Sequence, residues 1–393
     1  MGKRVVVKFG GADLASGDKA RRAAEMIVQS SYEEVIVVVS AMGSATNNLL
    51  ETANQLGKVG DSDLAEIISM GERTSARVFC SALGALGAKA EVFDPAYDNW
   101  PIITDSNFFE AKVNLEQTRL LAQQFISPML GETIPVVSGF LGRDSAGRVT
   151  TLGRGGSDTT ALLLANCLNA DEIVLVKETT GVLSADPRIV PEAKMLSELD
   201  IHEMFDLAQG GAKIIKPESL RYKLPNQTLR IVDFASGNIG VGGTEITGSL
   251  RMNSAEIQSQ TGLMAINVVC EVSAENLSKI FSMLSPKTIY GVSSGKRSIT
   301  VFASDGNVHN ILKNLQGVSD FKAVSHREKI ALLQASHPAF IDSPGGVAKI
   351  STALCETGIN IIEVTTSKAT INVFIEETQL KKAMEAISNV FES

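Results

Sequence analysis

Histidine and cysteine are scarce in this sequence, four of each among 393 residues, and neither is grouped. Cys80, Cys167, Cys270 and Cys355 lie far apart with no CxxC pair and no metal-ligand spacing, which fits reduced, buried thiols and argues against a disulfide scaffold or a zinc site. His202, His309, His326 and His337 are too dispersed for a metal-hydrolase centre or a Ser-His-Asp triad. No uncharged apolar run reaches the roughly 18 residues of a membrane span. The apolar stretch in MGKRVVVKFGG is shorter than the ~7 to 15 residues of an export-signal core, so a cytoplasmic chain with no membrane partner is expected. Positive charge is not in excess either. A net charge of -8 gives no overall attraction to nucleic acid or anionic lipid, and any anionic substrate must be held by local cations. A GxGxxG dinucleotide fingerprint is missing, and GVSSGKRS (291–298) lacks the glycine spacing and the following Ser or Thr of a Walker A loop, reading instead as a turn.

What is present is globular. Hydrophobic residues make up 44% and charged residues 20%, and the length exceeds what one core usually organises. Over residues 1–246, short β-branched runs alternate with helical patterns, the mark of an α/β domain with a mostly parallel sheet. Strands are expected over 4–9, 34–40, 89–93, 135–138, 172–177 and 228–232, and helices over 16–29, 61–86, 114–125, 157–168 and 202–209. Several strands end where glycine-rich motifs begin, and ligands of open α/β sheets bind beyond the carboxyl ends of strands. Residues 247–262, polar and weakly periodic, read as a linker. From Leu263 the order strand, helix, strand, strand, helix occurs twice, over 263–326 and 327–393. This internal repeat of about 65 residues suggests paired ferredoxin-like modules. The second copy ends without its last strand, so the modules are expected to exchange strands or pack side by side.

Four segments carry residue types suited to chemistry. Lys8-Phe9-Gly10-Gly11 ends the first strand, where bare glycine amides and a lysine suit a polyanion, although the same residues suit a tight turn. LGRGGSDTTALLLA (152–165) places glycines and Arg154 before a helix opening with Ser157 and Asp158. The free amides of that helix start suit a phosphate or carboxylate. Capping alone would need only Ser157 or Asp158, and Arg154 has no capping task. Ser40 at a strand end, Thr46 beyond it and Glu72 in a helical pattern could hold a small polar ligand with an ammonium group, though a solvated helix carboxylate is the commoner case. Finally, VKETTGVLSADPRIVPEAK (176–194) and AQGGAKIIKP (208–217) offer Arg188 and Lys213, the latter a candidate to flank a triphosphate together with Lys8.

Taken in order, KFGG, VVVSAMG, the GE of SMGERTS, SGFLGRD, TLGRGGSDTTA, GVLSADPRIVPEA, HEMFDLAQGGAKIIKP and GGTEI resemble the motif series of the aspartate kinases. The C-terminal repeat is similar to that family's tandem ACT modules, most clearly in DSPGGVAKISTALCETGINI. The resemblance implies an amino-acid-kinase-type three-layer αβα sandwich with a mostly parallel central sheet, followed by two βαββαβ modules. It implies transfer of the γ-phosphoryl group of ATP, with Mg²⁺, to free aspartate. Lys8, Asp158 and Lys213 would be catalytic. Ser40, Thr46, Glu72, Arg154 and Ser157 would hold aspartate, and Lys8, Gly10, Gly11, Lys177, Glu178, Arg188 and Lys213 would meet ATP. No direct protein ligand to a metal is implied. An amino-acid effector, lysine or threonine, would bind near Asp342, Gly345, Gly346, Asn360 and Ile361, in a homodimer or larger homo-oligomer.

This chain departs from the family's usual pattern in places. Ala12-Asp13 replaces Thr-Ser after KFGG, Lys177-Glu178-Thr179-Thr180-Gly181 replaces Thr-Asp-Val-Asp-Gly, and Lys213-Ile-Ile-Lys216-Pro217 replaces Lys-Val-Leu-His-Pro. Two other readings stay open from the residues. One is a related kinase acting on glutamate or N-acetylglutamate. The other is a catalytically silent amino-acid sensor.

Overall fold

A strand in the middle of a parallel sheet is covered on both faces and therefore needs a continuous apolar run. The opening segment RVVVKF provides one, and β1 (Arg4–Phe9) is buried from its second residue onward. The structure, a computed structural model, describes residues 3–250, 256–284, 288–304, 306, 308–337, 340, 345–367 and 369–392. The chain divides into two units, Met1–Leu250 and Arg251–Ser393.

In the first unit β1 is followed by α1 (Gly17–Val28), β2 (Glu34–Val39), α2 (Ala45–Gln55), α3 (Asp61–Ala85), β3 (Ala90–Phe93), α4 (Leu115–Phe125), β4 (Ile134–Ser138), β5 (Leu141–Arg143) and β6 (Val149–Thr151). There follow α5 (Gly156–Cys167), β7 (Glu172–Lys177), β8 (Glu198–Asp200), α6 (Ile201–Gln209), β9 (Thr228–Asp233) and β10 (Thr244–Thr247). The main sheet has the order β3-β4-β2-β1-β7-β9-β10-β8, parallel throughout except where β9 meets β10. The short hairpin of β5 and β6 stands apart from it. From β1 the chain builds outward through β2 on one side and resumes with β7 on the other. The direction of winding therefore reverses between β1 and β7, the place where open α/β sheets form a ligand crevice.

Parallel pairing puts Lys8 opposite Leu175. Because side chains alternate between faces, Lys177, two residues on, lies on the same face as Lys8. The helices and strands expected of this half are all present within two residues of their predicted ends. α2 is an addition: in its sequence ATNNLLETANQ the stripe Ala45, Leu49, Ala53 is made of few and mostly small apolar residues, and only Ala53 is buried.

The second unit is one six-stranded antiparallel sheet, β12-β13-β11-β14-β16-β15, built from β11 (Glu256–Val269), α7 (Ala274–Leu284), β12 (Ile289–Ser294), β13 (Ser298–Ser304), α8 (Val308–Gln316), β14 (Ala323–Ser336), α9 (Gly346–Glu356), β15 (Glu363–Ser367), β16 (Thr370–Glu376) and α10 (Leu380–Glu392). Two features correct the expectation. The stretch 247–262 is not linker throughout, because β11 already begins at Glu256. The strands expected on either side of residue 326 are one continuous strand, β14. Its first half, from Ala323, pairs with the second half of β11, and its last residues, Leu332–Ser336, pair with Glu256–Gln260. The start of β11 thus supplies the strand that the second copy lacks. Its residues there are mostly polar and exposed, held by the backbone ladder together with Ile257, which packs partly buried against the core of the second copy.

At the centre of the sheet Phe302 and Phe374 stack with ring centroids 3.8 Å apart, in a buried cluster with Leu263, Ile330 and Leu332. Phe374→Ala is expected to cost about 3–5 kcal/mol. Urea unfolding should show this as a lowered midpoint for the second unit's transition, with turnover at low urea retained.

Candidate active site

A helix buried on every side has to bring its own polar groups into register with partners. All twelve residues of α5 are buried, and Asp158 in its first turn finds two. Its Oδ1 lies 2.8 Å from Lys8 Nζ, and its Oδ2 lies 3.1 Å from Lys177 Nζ. Lys8 and Asp158 are each 5% exposed. Burial acts to raise the Asp158 carboxyl, but Lys177 and Lys8 outweigh it and hold the group at about 2. Lys177 is lowered from its usual value by burial, against the pull of Asp158. At an effective dielectric near 20 each contact is worth on the order of 5 kcal/mol before desolvation, enough to hold three elements together at the switch point.

The residue that caps α5 is neither Ser157 nor Asp158. Gly155 takes that position in a left-handed conformation (φ 77°) with no side-chain cap bond, which leaves both polar side chains for other work. They open onto a cleft of about 250 Å³ lined by Lys8, Gly11, Ser40, Ala41, Gly43, Thr46, Glu72, Phe140, Gly155, Gly156, Ser157 and Asp158. Gly11 permits the cleft's close walls, since a Cβ there would stand 2.6 Å from the Ala41 carbonyl oxygen. Glu72, from α3, is 4% exposed and accepts the Ala41 N–H at 3.2 Å. Its Oε2 has no hydrogen-bond partner. Burial pushes its carboxyl up to about 7. A carboxylate so placed is prepared to receive a cation.

The cleft therefore gathers Lys8, Gly11, Ser40, Thr46, Glu72, Ser157 and Asp158 from the residues singled out in the sequence. Arg154 is exposed, one residue before the Gly155 wall. The remaining candidates are placed differently. The Gly10 N–H is not free for a phosphate, because it donates to Asp13 Oδ2 at 2.9 Å. Lys213 is exposed and acts electrostatically on Asp186, so Lys177 rather than Lys213 is the second lysine on Asp158. Arg188 is bound to Asp186 at 2.7 Å and is 80% exposed, and Glu178 is bound to Lys19 at 2.8 Å. In the second unit, Asp342 lies outside the described residues. Gly345 and Gly346 open α9, whereas Asn360 and Ile361 follow its far end, about 16 Å away at 1.5 Å per residue.

Some contributors were not legible. Phe140 lines the cleft with φ 70°, a strained setting for a bulky residue, although it sits within the SGFLGRD segment. Lys216 extends beneath the glycine loop and donates to the Leu152 carbonyl oxygen at 3.2 Å; no periodicity or spacing marks it.

A carboxylate that gathers two ammonium groups where a parallel sheet reverses is what an α/β phosphotransferase needs to meet a polyanion. The amino acid kinase family model matches residues 3–233, and an ACT domain model matches residues 325–389. The aspartokinase of Corynebacterium glutamicum is 32% identical over 412 aligned residues, covering 99% of this chain and 96% of that one. The aspartokinase of Mycobacterium tuberculosis is 31% identical over 413, covering 98% and 96%. Among solved structures, an aspartate kinase from Synechocystis superposes with TM-score 0.73 at 23% identity, over 99% of this chain and 70% of that one. E. coli aspartokinase III in complex with aspartate and ADP superposes with TM-score 0.58 at 20% identity, over 99% of both. The chain belongs to the amino acid kinase family and, within it, to the aspartokinases.

Removing the shared carboxylate leaves the buried Lys8 ammonium and the partly buried Lys177 ammonium without their ion pair. Asp158→Ala is expected to destabilise the first unit by about 3–5 kcal/mol at neutral pH. The folded-state value of about 2 lies below the ordinary 3.8, so this stabilisation is present above pH 4 and is lost as pH falls toward 2. Unfolding midpoints of wild type and Asp158→Ala should converge over that window.

Proposed function

We propose that the cleft transfers the γ-phosphoryl group of ATP to the side-chain carboxylate of free L-aspartate, giving ADP and 4-phospho-L-aspartate, the first step toward lysine, threonine and methionine. One observation carries this: Lys8 and Asp158, the carboxylate that also holds Lys177, line the same cleft as Glu72, a buried carboxylate with an open oxygen. The lysines suit phosphate and Glu72 suits an α-ammonium group, so a single pocket fits a phosphate donor and an amino acid together.

Glu72 would receive the ammonium group of aspartate and Arg154 its α-carboxylate, with Ser40, Thr46 and Ser157 on the remaining oxygens. This orients the β-carboxylate toward the γ-phosphorus. A β-carboxylate oxygen forms the new bond to phosphorus as the bond to the β,γ-bridging oxygen breaks, and the electron pair leaves with ADP. A carboxylate nucleophile carries no proton, so no general base is required and the work is alignment and charge neutralisation. Lys8 and Lys177 supply the neutralising charge and Asp158 aligns them. Gly11 lets the phosphate approach the backbone, and Glu178, Arg188 and Lys213 belong to the outer, nucleotide side. Among the described residues no three His, Cys, Asp or Glu side chains gather to hold a metal ion, and Asp158 is occupied by lysines. Mg²⁺ would arrive with the nucleotide, as part of the substrate. The ACT unit would bind lysine or threonine as a feedback effector in a cytoplasmic homo-oligomer. Among the described residues no helix is long and apolar enough to cross a membrane.

The deciding assay measures ADP release with aspartate, glutamate or N-acetylglutamate as acceptor. Turnover with aspartate alone is expected, and preference for either other acceptor would refute the assignment. Lys8→Ala should lower kcat by about 10²–10³-fold, and near-normal kcat in that variant would remove Lys8 from the chemistry.

Holding Glu72 ionised at neutral pH costs roughly 3 kcal/mol relative to its ordinary carboxyl value, a cost that the aspartate ammonium would offset. Because the ammonium needs the ionised form, KM for aspartate should rise as pH falls below about 7. Glu72→Gln should raise KM and flatten that pH profile.

A further inference from the structure

Asp13 is a buried charge beside the site for which the phosphoryl-transfer reading has no task. It is 1% exposed and lies against the phosphate end of the cleft. A carbon placed on Gly10 would stand 3.1 Å from Asp13 Oδ2 and 3.7 Å from Lys8 Nζ. Oδ2 accepts the Gly10 N–H, while Oδ1 has no hydrogen-bond partner. Lys8 faces it from β1, and Lys177 and Glu178 face it from the end of β7. Burial raises its carboxyl to about 6 against the pull of both lysines, and its own charge in turn supports the Lys177 ammonium.

Glu178 also acts on Asp13, its charge helping to raise that carboxyl, but it is itself paired. Lys19 Nζ lies 2.8 Å from Glu178 Oε1 and also donates to the Ala12 carbonyl oxygen at 2.8 Å. That side chain thereby ties the turn carrying Asp13 to the end of β7 and neutralises Glu178 locally. The phosphate end is left with two ammonium groups, Lys8 and Lys177, and two carboxylates, Asp158 and Asp13.

An unbalanced Asp13 would repel an incoming phosphate at short range in a poorly solvated site. An unbalanced Lys177 would hold the product phosphates too firmly. We propose that Asp13 and Lys177 form a compensating charge pair that sets nucleotide affinity: Lys177 is a second cation on the phosphates, and Asp13 is a positioning residue that balances it and holds the Gly10 amide. The pair rests on the phosphoryl-transfer reading but concerns its nucleotide half alone.

The test is a double-mutant cycle read by calorimetric binding of MgADP to the full chain and by KM for MgATP. Lys177→Met is expected to weaken MgADP binding by about tenfold or more, leaving KM for aspartate little changed. Asp13→Asn, nearly isosteric, is expected to tighten MgADP binding and to lower kcat and KM for MgATP together, as slowed product release would. The double variant should return to within about threefold of wild-type MgADP affinity, and Lys177→Arg, which keeps the charge, should also stay near wild type.

A double variant that binds MgADP as weakly as Lys177→Met, or weakened MgADP binding in Asp13→Asn, would overturn the pair. If Lys177→Met does not fold, Lys177→Gln completes the cycle. Because MgADP binding needs no acceptor, the charge pair is tested even if the chain proves not to phosphorylate aspartate, and the two failures are told apart.

Discussion

The carboxylate of Asp158, shared between two ammonium groups, is the constraint on which the catalytic unit is arranged. A helix as thoroughly buried as α5 cannot carry an unpaired charge in its first turn. Its N-terminus is therefore locked to the carboxyl ends of β1 and β7, the only adjacent parallel pair from which the chain winds off in both directions. That lock decides where the glycine loop before α5 stands, and with it where Ser157 and the walls of the cleft face. It also leaves the lysines paired yet next to open space, so an arriving phosphate meets charge already in position.

The rest of the cleft applies the same physics with the opposite sign. Glu72 is buried without a cation and is shifted upward by that isolation, whereas Asp158 is buried with two and is shifted downward. Two carboxylates in one pocket thus have separate ionisation behaviour because their neighbours differ. Asp13 lies between these cases, facing lysines without a direct bond to either. A site that must attract a highly charged nucleotide and then release its product is served by such partial compensation better than by maximal positive charge.

The second unit solves a different problem, that of unpaired strand edges. The second βαββα copy ends without a closing strand, and the two long strands β11 and β14 run through both halves of the sheet, the start of β11 filling that place. The stacked pair Phe302 and Phe374 then packs where the copies meet. The second copy's sheet is completed by backbone from the segment that precedes the first, so their separation in the sequence is not a separation in folding.

Much of this was written in local pattern. β-branched runs such as RVVVKF and EVIVVV, the 3.6-residue periodicity of α1 and α3, and the glycines around Arg154 mark elements whose identity depends on neighbours a few residues away, and these lay where the sequence placed them. So did most of the cleft, because its residues sit at the ends of those elements. Other features depended on contacts between distant residues. The helix α2 carries only a sparse stripe of Ala45, Leu49 and Ala53, and the strand at Glu256–Gln260 is held mainly by backbone pairing, with Ile257 its one apolar anchor. Lys177 rather than Lys213 reached Asp158, and Asp13 captured the Gly10 amide, because register across β1 and β7 and the tilt of one turn set those distances. The sequence alone determined which elements form and which chemical groups they carry, since periodicity and turn chemistry are short-range. Only the tertiary structure decided which charges share a carboxylate, since a distance between residues 8, 158 and 177 is a property of packing.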